Sequence, residues 1–575
     1  MNPSKVSFHL AQGLPSCIRA GVIAGLCACA LSAGQRIADS APTPAADPAT
    51  GAAGAEPLIL DMVHHNIGDA PYDSIYNDPA VLAGMGFNGK VYMLFESPTL
   101  AITWDSVDKD VLPRGSKERQ WATDLAEKIR QQHAATQAAG MDVYAMADLI
   151  LFPKNLIEKY DIEDVFSDPN HPVTRELIEV MIAETFEQFP LLDGLVVRIG
   201  ETYLEDAPYH QGGIKHRTSN RSILPLIQLM REEVCVKRNK TLVFRTWRSF
   251  DRNLQQYRAI SAAVEPHPNL VIAVKHVEGD FHRANPFSKV IGAGRHPQLI
   301  EVQCAREYEG KGAYPNYVAH GVIEGFEEHA SLPADRIHSI REFVEQRPEL
   351  YGGIWTWTRG GGWNGPYIAH ELWPDVNAWV MAQWGLDPTQ SEEAVFKRYA
   401  RERLRLREPD VEKFRELCLL SAQAIVRGRN STQRDMNEWW TRDQGISWPR
   451  YRENPNYERN LRQKDESIQM WERIVELSES IRWPNAETRA FAVGSAHYGL
   501  RLYRIYRALC YLHFAEMKDD QAAMQQWIET YDRAWEAYKE LENMPAMSSL
   551  YSQEYRRHIR NHADTRVNKL RERLE

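Results

Sequence analysis

The sequence predicts an α/β protein: a (β/α)8 TIM barrel followed by an all-α C-terminal domain. Eight short apolar runs alternate with longer amphipathic segments between residues 57 and 372, as a (β/α)8 barrel requires. A doubly wound open sheet more often has a glycine-rich phosphate turn after an early strand, and no such turn is visible. After about residue 373 the strand pattern ends and helical periodicity takes over.

The eight predicted strands are short runs rich in Val, Ile and Leu. Continuous apolar runs of this length are typical of parallel strands that are buried on both faces. The predicted strands cover residues 58–62, 90–96, 141–147, 194–199, 241–247, 270–275, 299–304 and 351–357. The predicted helices between them cover residues 119–139, 175–188, 222–237, 253–264 and 334–345.

The predicted C-terminal domain, residues 373–575, consists of long amphipathic segments. These segments cover residues 392–406, 411–425, 465–481, 488–514 and 520–541. Such a domain has two expected uses that the sequence leaves open. It covers one face of the barrel, or it pairs with a second copy of the chain in a homodimer.

Residues 1–34 have the features of an export signal. Lys5 and Arg19 precede the apolar run 21–31, which is too short to cross a membrane as a helix. The residues around Cys29 also resemble a bacterial lipoprotein box, so membrane anchoring through a lipidated Cys29 is a second expectation. Residues 35–56 are rich in Ala, Pro, Thr and Gly and predict a flexible linker. We therefore expect an exported protein that is periplasmic, extracellular or lipid-anchored at the cell surface.

Composition and missing motifs exclude several functional classes. The formal net charge is -10 and no basic stripe offsets it, which argues against a nucleic-acid partner. Three of the seven cysteines lie in the signal region and the other four are widely spaced, so we predict no metal site. No phosphate-binding loop and no Gly-x-Ser-x-Gly nucleophile elbow is found, and we predict no cofactor.

Three carboxylates come directly after predicted strands. Glu201 follows the fourth strand, Asp280 the sixth and Glu307 the seventh. Because the C-terminal ends of barrel strands meet at one mouth, we expect these groups to lie close together. Carboxylates in one pocket repel each other, so one holds a proton while another is ionised. Glycosidic-bond hydrolysis uses such a pair. A structural ion pair with Arg is the safer explanation for each of them alone, but less so for all three.

Cations and aromatic residues occupy the same strand ends. An excess of cations predicts an anionic substrate, because Arg forks bind carboxylates bidentately, although some of these cations are expected to form salt bridges. Aromatic faces suit sugar rings, and packing between the barrel and the helical domain explains the tryptophans equally well. The predicted substrate-binding residues are Arg198, Arg245, Lys275, Arg306, His64, His65, Trp247, Trp357 and Trp363.

Three segments carry a family resemblance. Val197-Arg-Ile-Gly-Glu201 ends in a carboxylate after a strand, Val274-Lys-His-Val-Glu-Gly-Asp-Phe281 contains Lys275 and Asp280, and the segment 300–310 contains Arg-Glu-Tyr at 306–308. Together they resemble glycoside hydrolase family 67, the α-glucuronidases, and the resemblance runs from about residue 58 to residue 400. In the family, the counterpart of the first segment ends in the general-acid Glu. The counterpart of the second reads Val-Lys-Asn-Gly-Pro-Ile-Asp-Phe, and that of the third reads Glu-Phe-Gln-Ile-Thr-Gln-Glu-Tyr-Leu-Gly.

The resemblance implies a barrel, a helical C-terminal domain and an inverting mechanism. It implies that Glu201 is the general acid and that Asp280 and Glu307 together activate water. Arg245 and Lys275 would hold the carboxylate of α-linked glucuronic or 4-O-methylglucuronic acid in a glycan. An inverting enzyme needs its acid and base roughly 6.5–9.5 Å apart, so that water fits between them.

The sequence is also consistent with two other functions. The first is a retaining exo-glycosidase with Glu201 as acid/base and Glu307 as nucleophile. The second is a polysaccharide-binding barrel without catalytic activity. Retention or inversion at the anomeric carbon distinguishes the retaining exo-glycosidase from the inverting enzyme. Polysaccharide binding without turnover identifies the barrel that lacks catalytic activity.

Overall fold

All eight predicted strands are present and form a closed parallel barrel, but the second is shorter than predicted because Leu94–Glu96 form a 3-10 helical turn. The computed structural model describes residues 56–64, 73–199, 207–216, 218–247, 250–333, 335–360, 368–437, 446–543 and 562–575. The strands are β1 (Leu58–His64), β2 (Gly89–Tyr92), β3 (Asp142–Leu149), β4 (Gly194–Ile199), β5 (Thr241–Arg245), β6 (Leu270–Lys275), β7 (Gln298–Gln303) and β8 (Tyr351–Gly360). Each strand pairs with the next one along the chain, and β8 pairs with β1 to close the barrel.

Close backbone approach at the closing pair depends on a glycine. Gly353 on β8 pairs with Leu58 on β1 and has φ 126°, in a region that side chains disfavour. A Cβ at Gly353 would lie 2.0 Å from the Leu58 carbonyl oxygen. Any larger residue there would force the first and last strands apart.

The barrel interior is filled by alternate residues of each strand, because successive side chains point to opposite faces. Near the N-terminal end the Tyr144 ring occupies the space that Cβ atoms at Gly89 and Gly194 would take. The apolar interior consists of Leu60, Met62, Val91, Met93, Tyr144, Met146, Val196, Val243, Val271, Ala273, Leu299, Trp355 and Trp357. The interior is therefore a packed core and not a pore.

Helices cover the outside of the barrel and make up the region that follows it. They are α1 (Pro79–Met85), α2 (Lys117–Ala138), α3 (Lys154–Lys159), α4 (Pro172–Gln188), α5 (Asn220–Met230), α6 (Leu254–Ala263), α7 (Ala319–Glu324), α8 (Ile340–Gln346), α9 (Leu372–Leu386), α10 (Glu392–Glu402), α11 (Asp410–Arg429), α12 (Tyr457–Ser480), α13 (Ala486–Met517), α14 (Gln521–Lys539) and α15 (Asp564–Leu574). A π-helical turn, Arg231–Val236, extends α5, and two short strands, Leu151–Pro153 and His210–Gly212, pair in antiparallel fashion beside the barrel.

Helix ends differ from the predicted ones where a capping side chain decides the start. The helix predicted over 334–345 begins at Ile340, because the Ser339 hydroxyl accepts a hydrogen bond from the backbone N–H of Glu342. The helix predicted over 465–481 begins earlier, at Tyr457, where Asn456 caps the Arg459 N–H. Hydrophobic periodicity does not indicate such caps.

The predicted helical C-terminal region is confirmed, and it packs against the barrel. α9 lies on β8 and β1, so the predicted boundary between residues 372 and 373 falls at the start of a helix that covers barrel strands. Tyr314, in the loop after β7, packs among Trp471 on α12 and Tyr498 and Tyr503 on α13. None of the helices in the described part of the chain combines the length and apolar character that a bilayer crossing requires.

Candidate active site

The C-terminal ends of the strands form a mouth in which the interior side chains change from apolar to charged. On β4 the interior residue Val196 is followed two positions later by Arg198, and on β5 Val243 is followed by Arg245. Lys275, the last residue of β6, faces the same interior. The mouth therefore concentrates charge where barrel enzymes carry their chemistry.

Arg245 and Glu301 form a buried ion pair in this charged layer. The Arg245 Nε and Nη2 groups donate to the two Glu301 carboxylate oxygens at 2.7 and 2.5 Å, and the side chains are 3% and 0% exposed. The guanidinium also lies 5.1 Å from the ring centroid of Trp357. Glu301 thus accepts hydrogen bonds from the Arg245 guanidinium on one side. A substrate contact by Arg245 depends on the N–H groups that do not donate to Glu301.

Asp280 is held at the mouth by two donors. The Lys275 ammonium donates to Asp280 Oδ1 at 2.7 Å, and the Tyr308 hydroxyl donates to Oδ2 at 2.5 Å. The Asp280 side chain is 15% exposed, whereas that of Lys275 is 7% exposed. A positive donor and a hydroxyl favour the ionised carboxylate, and its exposure leaves access for water. Fixed orientation and access to water are what a general base requires.

Aromatic rings surround the Lys275 ammonium. It lies 3.7 Å from the ring centroid of Trp247, 4.4 Å from Phe281 and 5.8 Å from Trp357. His64 stacks on Trp357 with ring centroids 4.7 Å apart and planes 4° apart. Cation–π contacts stabilise an ammonium that is largely removed from water. The structure therefore brings His64, Trp247 and Trp357 to one aromatic wall around Lys275.

Glu307 lies in the loop that follows the neighbouring strand. Its backbone N–H donates to the Gln303 side-chain oxygen at 2.8 Å, and the residue is buried. The next residue is Tyr308, which contacts Asp280. Because β6 and β7 pair side by side, Asp280 and Glu307 come to the same end of the barrel.

Arg198 forms a second buried pair at the mouth. Its Nη2 donates to Asp148 Oδ2 at 2.8 Å, between neighbouring positions of β3 and β4. The strand β4 ends at Ile199, at this same mouth. Three predicted site residues, Glu201, His65 and Trp363, lie outside the residues that the structure describes.

Arg306 lies behind the wall of the mouth. Its side chain is 0% exposed, and it donates to Glu309 Oε1 at 3.1 and 2.9 Å and contacts His276 Nε2 at 3.0 Å. We call the buried set formed by Arg283, Arg306, Glu309, Asn316 and Glu328 the interface network, because Arg283 also reaches the carbonyl of Ala422 on α11. The predicted substrate contact of Arg306 finds no support in this position, since Glu309 holds its guanidinium away from solvent.

Three residues at the mouth were not predicted. Tyr308 contacts Asp280, and His282 stacks on Tyr308 with ring centroids 3.6 Å apart. Asp251, in the loop after β5, is buried, and burial raises its pKa although Arg252 and Lys275 act in the opposite direction. Asp251 follows a strand end as Asp280 does, and the same rule applied to every strand would have found it.

The described residues offer no metal centre. No group of three or more His, Cys, Asp or Glu side chains in them is arranged to hold a metal ion. Cys235, Cys304, Cys418 and Cys510 are buried free thiols. Burial raises the pKa of each of these thiols, so they are inert and not nucleophilic.

Comparison with known proteins identifies the fold. No protein-family profile and no curated protein matches the chain. Among solved structures, a glycoside hydrolase family 138 enzyme targeting pectin rhamnogalacturonan II matches with a TM-score of 0.52 and 11% identity, over 90% of this chain and 67% of that one.

Two other similar structures score lower. A family 89 glycoside hydrolase from Clostridium perfringens, in complex with GlcNAc-α-1,4-galactose, has a TM-score of 0.45 and 12% identity, over 80% of this chain and 51% of its own. The O-GlcNAc hydrolase of Thermobaculum terrenum has a TM-score of 0.39 and 11% identity, over 90% and 94%. The likeness to the family 138 enzyme shows that the chain has a fold found in glycoside hydrolases, a (β/α)8 barrel with a helical C-terminal region.

Proposed function

We propose that the protein is a glycoside hydrolase that releases an α-linked glucuronic or 4-O-methylglucuronic acid from a glycan. Water displaces the glycan in a single inverting step. The observation that carries the proposal is the Asp280 carboxylate, held by Lys275 and Tyr308 at the C-terminal mouth of a closed barrel. The fold shared with glycoside hydrolases supports the reaction class.

In this proposal the carboxylates divide the proton transfers between them. Asp280, which accepts hydrogen bonds from Lys275 and Tyr308, suits the base that removes a proton from water, with Glu307 on the neighbouring loop as its partner. Glu201, two residues past the end of β4, is the general acid that protonates the leaving oxygen. A protonated and an ionised carboxyl group on opposite sides of the bond are what inversion requires.

The environment of Lys275 supports a charged sugar as substrate. An ammonium has three donors, and among the described residues Asp280 is the one acceptor that Lys275 contacts. A uronate carboxylate beside Asp280 completes the bonding of the ammonium. Trp247 and Trp357 help to hold the Lys275 ammonium in place for this contact through cation–π interactions.

Two further proposals concern cellular context. Residues 1–55, which carry the predicted export signal, Cys29 and most of the linker, lie outside the described residues. We propose export, with lipid anchoring through Cys29 as one form of it. We also propose that the helical region provides the surface of a homodimer. Sedimentation of the purified protein tests the dimer, and labelling with a palmitate analogue tests the anchor.

The test is a screen of uronic-acid oligosaccharides with product analysis by NMR. The expected result is release of free uronic acid with the β-anomer formed first, because water attacks the face opposite the α-linked glycan. First appearance of the α-anomer would instead support a retaining enzyme that uses Glu201 and Glu307. Tight binding of the oligosaccharides without any release would overturn the catalytic proposal.

One variant tested on a matched pair of substrates separates chemistry from binding. Glu201→Gln is expected to abolish turnover of substrates with poor leaving groups and to leave their binding unchanged. An activated aryl glycoside, whose leaving group needs no protonation, is expected to retain much more activity in this variant. Equal losses on both kinds of substrate would contradict an acid role for Glu201.

A further inference from the structure

A loop of the helical region reaches the loop that carries Asp280. Residues 276–287 follow β6, and a bridge between Val277 and Phe287 closes them into a compact loop. Arg452 Nε donates to the Met436 carbonyl at 3.2 Å and its Nη2 approaches the Ala284 carbonyl at 3.5 Å. Arg336 donates to Glu278 Oε1 at 2.8 Å and to the Phe287 carbonyl. Both arginines thus border this loop on the side of the helical region.

A third arginine, Arg434, lies beside these two. Its half-buried guanidinium interacts electrostatically with Arg452 and Arg336, and burial together with these two cations lowers its pKa. The Nε groups of Arg434 and Arg336 are buried and have no hydrogen-bond partner among the residues that the structure describes. Arg452 is exposed and Arg336 is about a fifth exposed, so the cluster is open to solvent. Buried donors without acceptors are uncommon in folded proteins.

Among the residues that the structure describes, the acids around the cluster do not neutralise it. Glu278 pairs with Arg336 and Lys289, and Glu328 pairs with Arg283. Asp435, the neighbour of Arg434, is held bidentately by Arg459. Arg434 interacts electrostatically with two cations and two carboxylates, and these carboxylates also pair with Arg283 and Lys289. The described group therefore contains five cations and two carboxylates, an excess of three positive charges: Arg283, Lys289, Arg336, Arg434 and Arg452 against Glu278 and Glu328.

The segment that carries Arg434 is held by hydrogen bonds to its neighbours. The Asn430 side chain donates to the Met436 carbonyl, and Met436 pairs with Tyr451 in a short antiparallel bridge. Arg434 itself has φ 57°, in the left-handed region that residues other than Gly and Asn rarely adopt.

We propose that Arg336, Arg434 and Arg452 form a second binding site, which takes the carboxylate or sulfate group of a glycan residue further along the glycan chain from the one in the barrel mouth. Arginine forks bind both groups through charge-assisted hydrogen bonds. The inference rests on the proposed function, because it extends the proposed substrate from a single uronic acid to an acidic glycan. The Cα atoms of Glu278 and Ala284 lie within about 7 and 14 Å of Asp280, as two and four residues of extended chain allow. A short oligosaccharide spans this distance.

The test is calorimetric binding to full-length protein that carries Asp280→Asn, so that no hydrolysis interferes. The probes are a linear trisaccharide of galacturonic acid, its neutral methyl ester, and a galactose trisaccharide with one sulfate. Adding Arg434→Gln or Arg452→Gln is expected to weaken binding of at least one acidic probe about tenfold or more, because a charge-assisted bond is lost. The methyl ester is expected to bind all variants equally.

A matched control and the outcomes keep this inference separate from the proposed function. Arg473→Gln removes an exposed arginine of α12 that pairs with Glu416 far from this loop, and it is expected to change no affinity. Unchanged binding of both acidic probes in Arg434→Gln and Arg452→Gln overturns the second site, as does an equal loss for the methyl ester. If the wild-type protein releases no uronic acid but charge-selective binding is lost in these variants, the proposed function fails and the site stands.

Discussion

The mouth and the interface network contain the same kinds of charged residue in opposite surroundings. At the mouth, Asp280 is 15% exposed and accepts from Lys275 and Tyr308. In the interface network, Glu309 is 0% exposed and accepts from Arg306 and Asn316. Both acids follow neighbouring strands, β6 and β7, and each has a positive partner. The first acid is accessible to water and the second is sealed between the barrel and the helical region.

This difference shows which ion pairs serve chemistry and which serve the fold. A reacting carboxylate must exchange partners, so it needs access and donors that do not fill all of its lone pairs. A carboxylate that serves only the fold needs no access to water. When it is fully buried, removing its charged partner strongly lowers the free energy of unfolding. The comparison therefore predicts opposite responses of activity and stability when one acid in each place is neutralised.

The largest expected effect is on turnover at the mouth. Asp280→Asn keeps the shape of the side chain and removes the negative charge that accepts a proton from water. We expect kcat to fall by about 10²–10⁴-fold, the range in which general bases contribute. The free energy of unfolding is expected to fall by less than in Glu309→Gln, because water reaches the partly exposed Asp280 side chain, whereas Glu309 is sealed. Initial rates on a uronic-acid oligosaccharide and urea unfolding measure the two quantities.

Tyr308→Phe is the matched control for this change. It removes one donor to Asp280 and leaves Lys275 in place. We expect a smaller loss of kcat than in Asp280→Asn, together with a shift of the acidic side of the pH–rate profile to higher pH, because that side reports ionisation of the general base. A fully active Asp280→Asn protein would remove this carboxylate from the mechanism.

The second effect is on stability at the interface network. Glu309→Gln leaves Arg306 without its charged partner in a sealed site. We expect the free energy of unfolding to fall by about 3–5 kcal/mol, the cost of breaking a buried pair. Urea unfolding followed by tryptophan fluorescence measures it. Glu327→Gln, whose partner is Arg427 and whose side chain is 47% exposed, is expected to cost at most about 1 kcal/mol. Equal costs for the two variants would contradict the comparison.

The fold was predictable because its signals are local. All eight strands are short and largely buried runs in which apolar residues predominate, and the change to helical periodicity after residue 373 marks the C-terminal region. The position of Lys275 and Asp280 at the mouth followed from the rule that strand ends meet there. These inferences use stretches of a few residues and need no distant contact.

The remainder of the site depends on contacts between distant residues. Arg306 and Asp280 both come just after a strand, and nothing nearby in the sequence shows that one faces the helical region. The contact between Arg283 and Ala422, which seals that side, joins residues 139 positions apart. The pairing of Arg245 with Glu301 is of the same kind, because it joins two strands across the interior. Periodicity predicts which face a residue takes but not which charge it meets.

The third effect is a pH dependence at another sealed acid. Glu392 is 1% exposed and bonds with His320, Arg415 and Tyr317. Hydrogen bonds from His320 and Arg415 outweigh burial and lower its pKa to about 2 from 4.5. Because the folded pKa is depressed, the stability is fully present above pH 4.5 and is lost as the pH falls towards 2. The shift corresponds to about 3 kcal/mol.

Comparing the wild type with Glu392→Gln isolates this contribution. The difference in unfolding free energy between the two proteins is expected to shrink as the pH falls from 5 to 2. Urea unfolding at several pH values in this window measures it. A constant difference between wild type and Glu392→Gln across the window would contradict the assigned role of Glu392.

The smallest effect is expected where both charges are exposed. Arg473 on α12 and Glu416 on α11 are 2.8 Å apart, with side chains 42% and 45% exposed. Water and salt screen such a pair, and ordering two long side chains costs entropy, so Arg473→Gln is expected to change the unfolding free energy by less than about 1 kcal/mol. Urea unfolding at low and high salt measures the change. If the loss equals that of Glu309→Gln, burial does not decide the strength of these pairs, and the contrast between the mouth and the interface network loses its physical basis.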